Sequence, residues 1–271
     1  MTRCYDLLLD CQLFRNSTGG RTACGRVAAV TAYAPLSARS VVLSLILGTP
    51  SRALTAAQLA DAARHVGINP ATVRVALTRA VASDELVRDG SLYRLGPRLV
   101  ERRERQDAHA SVTAWDGTWE TVVVVTSGRS SSDRAALRTL LTRARLAELR
   151  EGVWMRPANL RRETPADASV DVRTFSTTSD DPAGLVADLW DLSGWAAETR
   201  RVVTALERTR QPGERLAVAA HLVRHLSDDP LLPAELAPAD WPADEARAAY
   251  SSYLAELEDV VSAGRTRRRP A

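Results

Sequence analysis

The sequence predicts an α+β protein in three parts: an N-terminal winged helix-turn-helix, a ferredoxin-like middle domain and a helical C-terminal domain. Three observations predict it. Two capped helical patterns and a hairpin signal follow one another between residues 54 and 95. A strand-helix-strand-strand order begins at Trp115. Beyond residue 181 the apolar spacing is helical, and 271 residues are enough for two or three cores. The boundaries that follow are 37–97 for the winged helix-turn-helix, 98–114 for a connector helix, 115–180 for the middle domain, 181–263 for the helical domain and 264–271 for a basic tail.

Residues 1–36 lack periodicity and contain Gly19-Gly20. They read as an extension that is disordered or lies upstream of the true start of translation. All three cysteines, Cys4, Cys11 and Cys24, fall here, without zinc spacing and with no histidine nearby. The rest of the chain therefore needs no disulfide, as in a reducing compartment. There is no signal peptide pattern and no apolar run of membrane-spanning length. A cytoplasmic protein that contacts no membrane is the expectation.

Ser37 caps a helix that runs to Leu47 and is stopped by Gly48, Thr49 and Pro50. The next helix opens with Thr55, three residues before Gln58, the spacing of a capping box. Leu54 and Leu59 stand at the positions of a hydrophobic staple, and Ala56, Leu59, Ala60 and Ala63 share one face. Gly67 closes this helix, because glycine accepts the left-handed conformation found after a helix C-terminus. Asn69 and Pro70 open the next one as N-cap and first residue.

In that third helix Val73, Ala76, Leu77 and Ala80 mark the buried face. At about 100° per residue the opposite face carries Ala71, Val75, Thr78 and Arg79, with Thr72 and Arg74 on its shoulders. A small, apolar and basic face of this kind suits insertion into a DNA major groove. Arginine pairs bidentately with guanine, and alanine or valine meets the thymine methyl. Glu85–Arg88 and Ser91–Leu95 then read as the two strands of a wing joined at Asp89-Gly90, with Arg88 and Arg94 placed to reach phosphates.

Every basic residue is arginine, and together with the alanine content this indicates a GC-rich genome. Distribution is therefore more telling than number. Residues 37–105 hold 11 arginines and 6 acids, a net of +5, whereas residues 106–271 hold 21 and 25, a net of −4. The basic excess falls on the part that would meet a polyanion.

The connector, residues 98–112, is charged and helical in pattern, with Arg102, Arg103 and Arg105 within it. In the middle domain, WETVVVVT is a buried strand. A helix capped by Ser131 or Ser132 extends to about Arg150, and strands follow at 152–156 and 169–175. Further helices are expected at about 182–192, 195–210, 214–227 and 243–263, with a proline-rich ordered loop before the last. No P-loop, dinucleotide glycine pattern or nucleophile elbow is present. His221 and His225 stand i, i+4 but lack the glutamate of a zinc-protease motif, and packing accounts for them. The acid pairs Asp180-Asp181 and Asp228-Asp229 read as loop acids or helix starts. No metal or other cofactor is expected. The six tryptophans all lie outside the winged part and suit domain cores, or one side of an aromatic pocket.

Five pieces in order resemble one family: SARS at the first helix, GINPATVRVALTRAV with LVRDGSLYRL, WDGTWETVVV, EGVWMRP, and DPLLPAELAPADWP. Residues 37–263 resemble the PaaX-type transcriptional repressors, named for control of phenylacetic acid degradation. The resemblance implies a homodimer that binds double-stranded operator DNA and is released by an aryl- or acyl-CoA thioester. It also implies a Cas2-like middle domain, although VVVVTSG lacks the aspartate with which the Cas2 nucleases end their first strand. Apolar helices after residue 182 are the expected dimer interface. A thioester pocket is expected within 115–263, because the small winged core has no room for one. Trp154 and Arg156, two apart on a predicted strand, would form one edge of it, the indole for the acyl end and the guanidinium for phosphate. Two other readings stand beside this one: a winged-helix protein-interaction module, and a Cas2-like nucleic-acid-processing enzyme, which would need clustered carboxylates.

Overall fold

The computed structural model describes residues 33–266 apart from 50, 98, 101–110, 127, 129 and 162–171. The three cysteines and the central connector arginines lie outside the described residues. By internal contacts the chain forms two compact units. One comprises Met1–Asp107, Thr199–Ser227 and Ala243–Ala271; the other comprises Ala108–Glu198 and Asp228–Pro242. The stretch 181–263, expected as a single helical domain, is thus divided between them, because its helices find their apolar partners in different units.

The first unit is built on α1 (Ala38–Leu47), whose Val41, Val42, Leu43, Leu45 and Ile46 are all buried. A helix apolar on nearly every side must be enclosed, and α1 is covered by α2 (Ala56–His65), α3 (Pro70–Ala82) and β3 (Leu92–Leu95). Full burial of one such leucine contributes about 1.5–3 kcal/mol. Strands β1 (Ala53–Thr55), β2 (Leu86–Asp89) and β3 form an antiparallel sheet in the order β1-β3-β2. The strand β1 has no counterpart in the sequence reading, where Leu54 serves only as staple and Thr55 only as cap. Leu86 pairs with Leu95 and Asp89 with Leu92. The two-residue loop is therefore Gly90-Ser91, one position later than Asp89-Gly90.

Two further helices complete this unit. α7 (Pro212–Leu226) buries Leu216, Ala217, Val218, Leu222, Val223 and Leu226, and α8 (Ala243–Thr266) packs on both α7 and α2. The helix α8 runs past residue 263, into the expected tail. Tyr33 also belongs here: its ring lies 5.1 Å from that of His221, with the Arg201 guanidinium 5.5 Å from its centroid. The packed chain therefore includes residues from before position 37.

The second unit contains the sheet β6-β7-β5-β9, formed by β5 (Trp119–Val124), β6 (Ala147–Arg150), β7 (Val153–Pro157) and β9 (Val172–Thr177), with every neighbouring pair antiparallel. Together with α4 (Ser131–Arg143) it gives a β-α-β-β order. β4 (Ser111–Val112) and β8 (Leu160–Arg161) make a separate pair. The helix expected to reach Arg150 stops at Arg143, because Arg145 takes a left-handed φ of 62° and Leu146 N–H turns back to the Leu141 carbonyl at 3.1 Å. The following residues become the edge strand β6.

One face of this sheet, with α4, encloses Val122, Leu141, Leu146, Trp154 and Val172. The other encloses Trp119, Met155 and Val186, the last on α5 (Pro182–Leu189). The helix α6 (Leu192–Arg208) carries the chain from the second unit's residues into those of the first. Among the described residues no helix is long and apolar enough to cross a membrane.

Candidate nucleic-acid interface

Local chemistry orients α2 and α3. Thr55 Oγ1 accepts from Gln58 N–H at 3.2 Å while Gln58 Oε1 accepts from Thr55 N–H at 2.8 Å, so two otherwise orphaned donors are satisfied reciprocally. After α2, Gly67 has φ 85° and Ile68 N–H returns to the Ala63 carbonyl at 2.8 Å, which turns the chain sharply into α3. Asn69 Oδ1 caps α3 by accepting from Ala71 N–H at 2.8 Å, and Pro70 occupies the first helical position.

On α3 the side chains of Val73, Ala76, Leu77 and Ala80 are buried, and those of Ala71, Thr72, Arg74, Val75, Thr78 and Arg79 are exposed. Val75 is 51% exposed, an apolar side chain left in water between two arginines. The Thr78 hydroxyl donates to the Arg74 carbonyl at 3.1 Å, which leaves its lone pairs to accept. In the β2–β3 hairpin, Arg88 Nε donates to the Gly90 carbonyl at 3.0 Å, and Arg94 Nε lies 3.5 Å from Asp89 Oδ2. Val87 pairs with Arg94 and Arg88 with Tyr93, so Arg88 and Arg94 project from opposite faces of the hairpin. Both are exposed. Arg39 clamps the start of the β2–β3 hairpin to α1 by a two-pronged contact with Glu85, its Nε donating to Oε2 at 2.6 Å. The sequence reading overlooked the exposed Arg52, next to the β1 residue Ala53 that pairs with Arg94. An arginine in a turn carries no motif that would have singled it out.

The other nominated pair fares differently. Trp154 and Arg156 do face one side of the sheet, but both are buried, and Arg156 is 0% exposed. Its guanidinium donates to Asn159 Oδ1 at 2.8 Å, to the Pro157 carbonyl at 3.0 Å and to the Arg145 carbonyl at 3.3 Å. Asn159 in turn donates to the Leu231 carbonyl at 2.9 Å. Arg156 is thus spent on fastening the proline-rich loop to the strand, and Trp154 on the core. The expectation that they edge a ligand pocket is corrected: two residues apart on a strand places side chains on one face but does not open that face. Of the two histidines, His221 packs on Tyr33, and His225 Nε2 lies 2.8 Å from the Thr199 hydroxyl. Among the described residues no three His, Cys, Asp or Glu side chains gather as a metal site.

Residues 112–180 match the PaaX protein central Cas2-like domain, and residues 191–263 match the PaaX-like protein C-terminal domain. The chain belongs to the PaaX family. Membership carries a coarse function with it, that of a transcriptional regulator. The β-α-β-β sheet described above is the Cas2-like domain of that family. A solved structure of the uncharacterized protein Rv0674 from Mycobacterium tuberculosis is 42% identical over 84% of this chain and 99% of its own, with a TM-score of 0.75. No curated protein matches the chain.

Proposed function

We propose that this PaaX-family chain is a dimeric, cytoplasmic repressor that reads operator DNA with an N-terminal winged helix-turn-helix and leaves it on binding an aryl- or acyl-CoA thioester. The observation that carries the DNA reading is the division of α3. Four residues seal the core, and the six on the other side, among them Arg74, Val75 and Arg79, stand in solvent. Each base-reading arginine is worth about 1–3 kcal/mol of discrimination. Arg88 and Arg94 belong to phosphate contacts, which position the protein and carry no sequence information. Two copies related by a two-fold axis would engage half-sites roughly 10 bp or a multiple apart. A single reading helix buries too little surface for tight specific binding. The apolar helices after residue 182 are the proposed interface.

The thioester acts by population shift. It must bind the DNA-free conformation more tightly, since equal affinity for both states shifts nothing. Its site is sought in 115–263 and does not include the buried Trp154 and Arg156. Gel-shift assays with the DNA upstream of the chain's own gene test the reading. A shifted band that a thioester abolishes, but free acid and free CoA do not, is the expected result. A winged-helix protein-interaction module would give no shift, and a Cas2-like enzyme would cleave the probe.

A further inference from the structure

The exposed side of α3 is basic at its margins and apolar in its middle. At about 100° per residue, Val75 and Thr78 fall within about 30° of the line directly opposite the buried Val73, Ala76, Leu77 and Ala80. On the same count Arg74 and Arg79 stand about 70° to either side of that line. The helix carries these two arginines and no carboxylate. Val75 is 51% exposed and, with Val87, is one of two large apolar side chains left in water among the described residues of the first unit. Stability gives no reason for it. A β-branched residue lowers helix propensity, and half of this side chain finds no apolar partner. One turn on, the Thr78 hydroxyl donates back to the Arg74 carbonyl at 3.1 Å. Its donor is spent within the helix, and its methyl stands on the same carbon beside Val75.

We propose that Val75 reads the 5-methyl group of a thymine on the floor of the operator's major groove, between bases or phosphates met by Arg74 and Arg79. The assignment rests on the repressor reading above and names the base that the middle of α3 recognises. Base edges in the major groove present hydrogen-bond donors and acceptors, and the thymine methyl is the one apolar group among them. A valine pressed against a polar edge would strip it of water and leave its donor or acceptor unpaired. Against a thymine methyl, two apolar surfaces leave water together, which stabilises the complex. The arginines on either side attract the polyanion whatever its sequence, while the valine between them penalises the wrong base. Val75 is therefore a specificity-determining residue, and its contribution to non-specific binding is small.

The test is gel-shift titration of the full chain with the DNA upstream of its own gene, synthesised either with thymine or with uracil at every thymine position. Uracil pairs as thymine does and lacks only the methyl. Wild type should bind the thymine fragment more tightly, by roughly fourfold for each methyl buried against a Val75, the worth of one buried methyl group. Val75→Ala should bind the two fragments nearly alike, and Val75→Ile should keep the preference. Alanine is the better helix former and position 75 is exposed, so the variant should unfold at or above the wild-type urea midpoint. Equal wild-type affinity for the two fragments, in a protein that still prefers the thymine fragment to its scramble, overturns the methyl reading and leaves the repressor reading standing. A thymine preference undiminished in Val75→Ala overturns it too, since the methyl would then act elsewhere. Tight binding that appears only after 5-methylation of the cytosines would place the methyl on cytosine and overturn the choice of thymine. A wild type with no preference for the upstream fragment over its scramble overturns the repressor reading together with this one.

Discussion

Gly213, the second residue of α7, lies so close to the carbonyl of Val66, the C-cap of α2, that a Cβ built on it would stand 2.6 Å from that oxygen. The turn leading into α3 is therefore seated against a helix that arrives about 140 residues later in the chain. The same unit brings Leu257 of α8 to within 3.2 Å of a Cβ built on Gly48. The proposed reading head thus shares its core with the last helices of the protein. Gly213→Ala should destabilise the chain by about 1–3 kcal/mol, as overpacking does, and weaken DNA binding with it. Urea unfolding of this variant at wild-type midpoint would show that the two backbones do not press together.

Asn69 caps α3 through its 2.8 Å bond from Ala71 N–H. Asn69→Ala should lower stability by about 1 kcal/mol, while Asn69→Ser should restore most of it. Because α3 carries the proposed base contacts, a frayed first turn should weaken operator binding more than non-specific binding. Measured unfolding curves that place the alanine and serine variants together would remove the cap from the account.

Arg215 on α7 and Glu256 on α8 form an ion pair, and the Arg215 guanidinium also lies 5.4 Å from the Tyr253 ring centroid. The hydrogen bond from Arg215 holds the Glu256 carboxyl below its ordinary range. A depressed carboxylate stabilises the fold above its unfolded-state value, and that contribution is lost as pH falls through the folded value. The pair is largely exposed, so the effect should stay under about 1 kcal/mol. Burial pushes the Tyr253 hydroxyl above its ordinary range, so its contribution is present below the unfolded value and is lost in alkali. Urea midpoints of wild type and Glu256→Gln should differ at neutral pH and converge in acid. A difference that is constant with pH would rule out this linkage.

The arginines of the β2–β3 hairpin should behave unlike those of α3. Arg88→Ala and Arg94→Ala should weaken binding to every sequence about equally, and each should lower the salt slope of log K by about 1. As the two project from opposite faces of the hairpin, their effects need not be equal. A change in sequence preference on losing either would make it a base reader instead.

Much of the first unit could be read from short-range signals, because caps and helical spacing act within a few residues. The partition of α3 into Val73, Ala76, Leu77 and Ala80 against Arg74, Val75, Thr78 and Arg79 follows directly from 3.6 residues per turn. What escaped depends on contacts distant in sequence. Leu146–Arg150 has the composition of a helix, and nothing in it announces the left-handed turn at Arg145 or the pairing of Ala147 with Met155 that makes it a strand. Spacing put Trp154 and Arg156 on one face, but only α4 and the loop at Leu231 decide that this face is closed.

The most direct test of the account is quantitative binding of wild type and the Arg74→Ala, Arg79→Ala double variant to the DNA upstream of the chain's own gene, beside a scrambled duplex at the same salt. The account predicts that wild type prefers the upstream DNA. It also predicts that the double variant, folded as judged by its unfolding curve, loses about 2–6 kcal/mol of that preference and keeps its affinity for the scrambled duplex. Unchanged preference in the double variant, or none in the wild type, would contradict the assignment of α3 as the reading helix.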